Sequence, residues 1–365
     1  MTTKKLIVVL GMHRSGTSVI TRALMAMGVA LGDKLLPAMS GVNERGFWED
    51  QDVLDINIEL LGLGGYDWYD NAPGVRLGGA ATELDALKRR AAGVLRDRLD
   101  GHALFAIKDP RTAVLLPFWK EVFNLVGCDI AFLIALRNPK SIVDSLVSRD
   151  GFGPIKILYL WLEHLLPSIL ETAGYPRMVI DYDLFMDDPE AQMRRIARGL
   201  RLDVDFDRDP AIAVFLGDFL ENTLRHSRYS TDSLNGDRLV PGEVVDIFSS
   251  LLSMARDRIQ PDDIEANHLF TRVDAHLTSM LPLFESINEL ERRLRRIKAE
   301  GMQAEILALE RAVNEVNKQN AELRDSLFGC NARLEALEQN KRALEARLED
   351  VSASFLGRLN RIFRG

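Results

Sequence analysis

At 365 residues the chain is too long for one ordinary core and too short for three, so one large domain plus an extension is expected. An apolar content of 47% supplies that core, and a net charge of -8 excludes nucleic-acid binding as the main activity, because such binding needs a basic field. Cys128 and Cys330 stand far apart without metal-ligand spacing, which argues against a disulfide framework or zinc site and fits a reducing compartment, the cytoplasm.

Residues 6–10, five apolar side chains, read as a buried parallel strand, and as an apolar run they are too short for a signal peptide or a membrane span. The strand runs into Gly11-Met12-His13-Arg14-Ser15-Gly16-Thr17-Ser18, a glycine-bracketed turn that opens a helix at about Thr17. Backbone N–H groups in such a turn cradle an anion. The two glycines keep the spacing of a nucleotide-triphosphate loop and Ser18 fills its hydroxyl position, but Thr17 stands where that loop carries lysine. The cation sits instead at Arg14, whose planar fork suits a phosphate or sulfate without a metal.

Downstream, residues 42–69 mix Gly, Trp, Tyr, Asp and Asn with a helical stretch and read as a lid or substrate loop. Further strands are expected at 104–108, 130–136 and 178–181, alternating with helical patterns. The fold class is therefore α/β, a P-loop-type parallel sheet flanked by helices. Lys108 closes the second strand, in Lys108-Asp109-Pro110-Arg111. Arg137 closes the third, and Pro139 suits the first turn of the helix after it, with Ser145 about two turns along. An arginine at a strand end and a hydroxyl on the adjoining helix can clamp one phosphate together.

Beyond Pro282 the composition shifts to Glu, Arg, Leu, Ala and Asn. Apolar residues three and four apart run from Ile306 to Phe355, with Asn320 and Lys341 at core positions, which predicts a coiled coil of roughly 75 Å and a parallel homodimer. Ile287, Leu290, Leu294 and Ile297 repeat the spacing out of phase, so a break is expected near Gly301. After Asp350 the tail is basic and amphipathic, suited to an anionic membrane surface at the inner face of a membrane. The expected division is a catalytic domain over 1–282, with core motifs in 5–240 and a helical remainder over 241–282, a coiled coil over 283–356 and a basic tail over 357–365.

The lysine-less loop together with the 137–145 segment resembles the PAPS-dependent sulfotransferases, whose donor is 3'-phosphoadenosine 5'-phosphosulfate. The loop from Gly11 through Arg14, Ser15, Gly16 and Thr17 to Ser18 is similar to the family's 5'-phosphosulfate loop, and Arg137 with Ser145 to its 3'-phosphate motif; Asp181-Tyr182-Asp183-Leu184 resembles the element after its fourth strand. The resemblance implies PAPS as donor, no metal, and a hydroxyl acceptor on a carbohydrate or glycolipid. It implies Lys108 at the leaving-group oxygen, Arg14 on the phosphosulfate, and Arg228 closing over the 3'-phosphate. Cytosolic members carry a base two residues after the strand-end lysine, where this chain has Pro110. Glu49, in the loop that many glycan and tyrosine sulfotransferases use, is then the chosen base, with Glu44, His13 and Asp109 as other candidates. A small-molecule kinase and a non-catalytic nucleotide-binding coiled-coil scaffold are the competing readings.

Overall fold

A computed structural model of the chain describes residues 4–37, 46–74, 77–78, 81–219, 229, 232–299, 309, 312–320 and scattered positions from 322 to 342. The elements, in order, are β1 (Lys5–Leu10), α1 (Thr17–Ala26), α2 (Gln51–Leu63), α3 (Ala81–Leu99), β2 (Leu104–Lys108), α4 (Leu116–Val126) and β3 (Asp129–Leu136). They continue as α5 (Pro139–Asp150), α6 (Pro154–Leu170), β4 (Arg177–Asp181), α7 (Tyr182–Asp187), α8 (Pro189–Leu200), α9 (Pro210–Val214), α10 (Asp232–Asn235), α11 (Gly242–Ala255), α12 (Ile264–Ser279) and α13 (Leu281–Ala299). The chain divides into two units, Met1–Asn288 and Glu289–Gly365.

The four strands form one parallel sheet in the order β2-β1-β3-β4. All four fall where the apolar runs predicted them, extended by one residue at the start of β1, β3 and β4. Both faces of the sheet are covered, as the nearly continuous apolar strands require. Side chains alternate between two cores: Leu6, Val8 and Leu10 face α2 to α6, with Phe105, Phe132 and Ile134, while Ile7 and Val9 face α1, α7 and α8. On the α1 side the neighbouring strands contribute Ala106, Ala131 and Ala135. Those small residues let α1, and the loop that starts it, lie close against the sheet.

From β1 the chain goes to β2 on one side, then crosses to β3 on the other. The carboxyl ends of β1 and β3 therefore flank a topological switch point, where open α/β sheets bind ligands. The register sets Val9 opposite Lys108 and Leu10 opposite Ile134, so the loop after β1, Lys108 and Arg137 emerge at one level.

Of the segment expected as a lid, α2 is a core helix: Val53, Ile56, Asn57, Leu60 and Leu61 share its buried face. Beyond residue 299, the described positions 312–320 are helical, with Val313 and Val316 more than half exposed. Gly301 and the tail over 357–365 lie outside the described residues. Among the described residues no helix is long and apolar enough to cross a membrane.

Gly16 has φ +91°, and a Cβ there would come within 2.4 Å of the Tyr182 ring. Gly16→Ala is expected to cost about 1–3 kcal/mol through the left-handed backbone and the ring that must move. Urea unfolding checks this; an unchanged midpoint would mean the turn is not held against Tyr182.

Candidate active site at the carboxyl ends of β1, β2 and β3

The turn after β1 is closed from within. The Ser15 hydroxyl donates to the Met12 carbonyl at 2.6 Å, and the Ser15 N–H donates to the same oxygen at 3.2 Å. Gly11 has φ +131°, and a Cβ there would sit 2.7 Å from the Ala135 carbonyl of β3, so only glycine lets the turn pass. Arg14 also holds a left-handed conformation, φ 68°, which costs a non-glycine residue energy and presents its side chain across the turn. The turn leads into α1 at Thr17, whose carbonyl accepts from Thr21 at 2.8 Å.

The two motifs read separately from the sequence meet. Arg14 Nε donates to Ser145 Oγ at 2.8 Å, and Arg137 Nη1 donates to the Arg14 carbonyl at 2.9 Å. Arg137 lies 4.4 Å from the Tyr182 ring centroid, so Tyr182 supports both the turn, at Gly16, and the arginine. The Arg14 guanidinium is held below its usual pKa by burial and by Arg149 and Arg137 nearby, which marks a concentration of positive charge. Arg228 and Glu44 lie outside the described residues. The neighbouring Tyr229 is fixed to α5 and its cap: its carbonyl accepts from Asn138 Nδ2 at 3.2 Å and its hydroxyl donates to Asp144 at 2.5 Å.

Lys108 and Glu49 form a direct buried pair, Nζ to Oε1 at 2.6 Å, each with a side chain no more than 5% exposed. Lys108 also donates to the Phe47 carbonyl at 2.7 Å and to Ser18 Oγ at 3.3 Å. One ammonium thus ties the first turn of α1, the end of β2 and the segment before α2 together. That segment is anchored by its neighbour Asp50, which caps α2 through the N–H groups of Asp52 and Val53 and pairs with Arg98 of α3 at 2.6 Å. Burial raises the Glu49 pKa and Lys108 opposes the rise. The cause is burial, with Asp109 adding to it, while the adjacent Trp48 faces Arg22 at 5.5 Å.

Two other base candidates sit differently. Asp109 accepts from the Arg111 N–H at 2.8 Å and pairs with its guanidinium at 3.1 Å, capping the short turn over Pro110–Ala113. His13 is half-buried, with its pKa pushed well below the ordinary value first by desolvation and then by Arg111. Its ring packs 4.3 Å from Trp68. Trp68, Tyr69 and Phe152 form an aromatic group with centroids 5.5 to 5.8 Å apart, flanked by Arg149 and Lys156. Behind it a small cavity is lined by Trp68, Arg111, Glu163 and His164. Among the described residues no three His, Cys, Asp or Glu side chains group as metal ligands.

Solved structures similar to the chain include two sulfotransferase domains. One is the sulfotransferase domain of the Synechococcus PCC 7002 olefin synthase, 14% identical with a TM-score of 0.37, covering 74% of this chain and 94% of that one. Another is the sulfotransferase domain of the curacin biosynthetic pathway, 14% identical with a TM-score of 0.36, covering 75% of this chain and 98% of that one. A third is retinol dehydratase in complex with androsterone and the inactive cofactor PAP, 10% identical with a TM-score of 0.29, covering 74% of this chain and 80% of that one. No family model and no curated protein matches the sequence.

Sequence reasoning missed Tyr182 as a support, the Asp50–Arg98 anchor, and the adjacent pair Glu163 and His164. Burial pushes the Glu163 carboxyl up to about 8, against the Ala72 N–H and the Asn71 amide that favour its charged form. Burial pushes His164 down to about 4, with the Leu160 carbonyl acting the other way. Glu163 therefore keeps a proton in the folded state that the unfolded chain has lost, and its contribution falls away as pH rises toward about 8. The His164 contribution is complete above its ordinary value of 6.5 and is lost as pH drops toward about 4. Between 6.5 and about 8 only Glu163 of this pair acts. Wild type is expected to lose stability across that window, by at most about 1.4 kcal/mol per pH unit, and Glu163→Gln is expected to lose this slope. Urea unfolding of both proteins checks it, and parallel pH profiles would contradict it.

Proposed function

We propose that the chain transfers the sulfuryl group of 3'-phosphoadenosine 5'-phosphosulfate to an acceptor hydroxyl. The observation that carries this reading is the meeting of Arg14, Arg137 and Ser145 beside a turn without the triphosphate-loop lysine, with Lys108 and Glu49 paired at the next strand end. A donor with separate 5'-phosphosulfate and 3'-phosphate needs two adjoining cationic sites. The N–H groups from Gly16 to Ser18, with Arg14, take the 5' end; Arg137 and Ser145 take the 3'-phosphate, with Arg228 closing over it. The Gly11 and Gly16 backbone makes room for the first of these, and Ser15 keeps the turn closed.

In the reaction the acceptor oxygen attacks sulfur in line, and the bond from sulfur to the bridging oxygen breaks. Negative charge grows on the 5'-phosphate oxygen as it leaves. Lys108, desolvated at the end of β2, stabilises that charge, and Glu49 takes the proton from the acceptor hydroxyl. Their contact in the free protein holds the two groups side by side at the strand end. The acceptor comes between them and separates the pair. His13, packed on Trp68 with its pKa lowered, and Asp109, committed to Arg111, are the less suitable bases.

The acceptor is a carbohydrate or glycolipid. Trp68, Tyr69 and Phe152 offer ring faces next to His13, and aromatic faces of this kind stack on sugar rings. The heptad series over 306–355 joins two copies as a coiled coil; the exposure of Val313 and Val316 in a helical stretch is what such a seam leaves open in a single chain. The protein acts in the cytoplasm, with the basic tail as a contact for an anionic membrane surface.

Calorimetric titration is expected to show adenosine 3',5'-bisphosphate binding without magnesium; tight binding of ATP with magnesium and none of the bisphosphate would support a kinase instead. Glu49→Gln is expected to lower kcat by roughly 10²–10⁴ and Lys108→Met by roughly 10²–10³, with bisphosphate affinity kept in Glu49→Gln. The acidic limb of the wild-type kcat profile should lie above the ordinary carboxylate range, because burial raises the Glu49 pKa and the rate needs its deprotonated form. Unaltered turnover in both variants would remove these roles, and no turnover by wild type would favour the scaffold reading. In sedimentation, a chain ending after residue 299 is expected to be monomeric where the full chain is dimeric; equal oligomers would discard the coiled coil as the joint.

A further inference from the structure

Trp68 and Tyr69 of the aromatic group beside His13 lie in the stretch between α2 and α3, outside any helix or strand, so something must hold them. Within that stretch the Asp67 N–H donates to Asp70 Oδ2 at 2.9 Å, a turn that presents Trp68 and Tyr69 together. The next two residues are bound to distant helices. Asn71 Nδ2 donates to Glu163 Oε1 at 2.9 Å, and the Ala72 N–H donates to the other carboxyl oxygen, Oε2, at 2.9 Å. Glu163 is the one acid in the apolar run of α6 from Ile157 to Leu166 and is 5% exposed.

From the opposite side Asn288 of α13 binds the backbone of Asn71 twice. Asn71 N–H donates to Asn288 Oδ1 at 3.3 Å and Asn288 Nδ2 donates to the Asn71 carbonyl at 2.7 Å. The Asn288 side chain thereby imitates a neighbouring strand and satisfies both backbone groups of a buried loop residue. It is fully buried, and one turn before it Phe284 packs on Tyr159 of α6 at 5.3 Å. The same helix leaves Leu283, Ile287 and Leu290 exposed, so its inward face is a deliberate polar and aromatic contact in an otherwise amphipathic element.

We propose that Asn288 and Glu163 are positioning residues for the acceptor half of the site: together they clamp Asn71 and Ala72, and through the 67–70 turn they hold Trp68 against His13 of the anion loop. The proposal rests on the sulfotransferase reading for the name of the acceptor, while the clamp itself is a structural statement. Neither side chain touches donor or acceptor. The acceptor wall is then completed by a helix far along the chain from every cofactor motif, and the site depends on α13 being in place.

Amide hydrogen exchange on full-length wild type, Asn288→Ala and Asn288→Asp tests this. Asn288→Ala is expected to speed exchange over residues 67–72 by about tenfold or more while β1 and β3 keep their protection. Asn288→Asp keeps an acceptor for the Asn71 N–H and should fall between, a partial rescue. If Asn288→Ala loosens the whole molecule, the near-isosteric Glu163→Gln carries the same test, with the same local pattern expected.

The functional readout uses p-nitrophenyl sulfate and adenosine 3',5'-bisphosphate, run so that the sulfuryl group leaves the phenol oxygen for the 5'-phosphate and p-nitrophenolate is released. For Asn288→Ala, KM for the sulfate ester is expected to rise about tenfold, with kcat and bisphosphate affinity within about twofold. Unchanged exchange over 67–72, or a matched rise in KM for both ligands, would overturn the proposal. A wild type that binds no bisphosphate would overturn the sulfotransferase reading instead, and the exchange pattern would still decide the clamp.

Discussion

A lysine and a glutamate held 2.6 Å apart, both almost out of reach of water, organise the mouth of this sheet. Such a pair is a poor stabiliser, since desolvating two charges offsets much of their attraction, and removing one partner strands the other at a cost of about 3–5 kcal/mol. A fold that tolerates this arrangement at the carboxyl ends of its strands gains something other than stability. Lys108 spans three elements through Ser18, Phe47 and Glu49, so the turn after β1, the end of β2 and the approach to α2 move as one body. The outer anchor, Arg98 on Asp50, lets Glu49 face inward without being pulled toward solvent.

The rest of the molecule prepares that position. Period-two alternation in the strands divides the apolar residues between two cores, and the smaller ones fall on the side of α1. Close packing there brings the glycine turn over the sheet edge, against Ala135 and Tyr182. The strand order then places Arg137 across the switch point from the turn, close enough that Arg14 is hydrogen-bonded to both Ser145 and Arg137. Cationic charge collects at this point in a chain that is acidic overall, so any attraction for an anion here comes from local geometry and not from a general field.

The strands and their loops were legible in the sequence because each depends on a short run: five to eight apolar residues, then a glycine or a cation. The expectation that Glu49 and Lys108 work together came from resemblance alone; their contact spans 59 positions and no local pattern encodes it. Residues 51–63 looked like part of a lid because glycines and aromatics surround them, yet their apolar residues line one face and pack as core. Glu163 left a signal that went unread, a lone acid in an apolar helix, since burying a carboxyl calls for partners. Asn288 left none. It lies in a charged helix among many polar residues, and only the fold reveals that its amide is fully buried against Asn71.

The central claim is that two adjoining cationic sites, one on the β1 turn and one on Arg137, receive the two ends of one adenosine donor beside the Lys108–Glu49 pair. A crystal structure of the protein with adenosine 3',5'-bisphosphate tests it most directly. The expected result is the 5'-phosphate on the amides from Gly16 to Ser18 with Lys108 Nζ at about 3 Å, and the 3'-phosphate within about 3 Å of Arg137 and Ser145. A nucleotide bound elsewhere, or Arg137 still turned to the Arg14 carbonyl with no phosphate near it, would contradict the account.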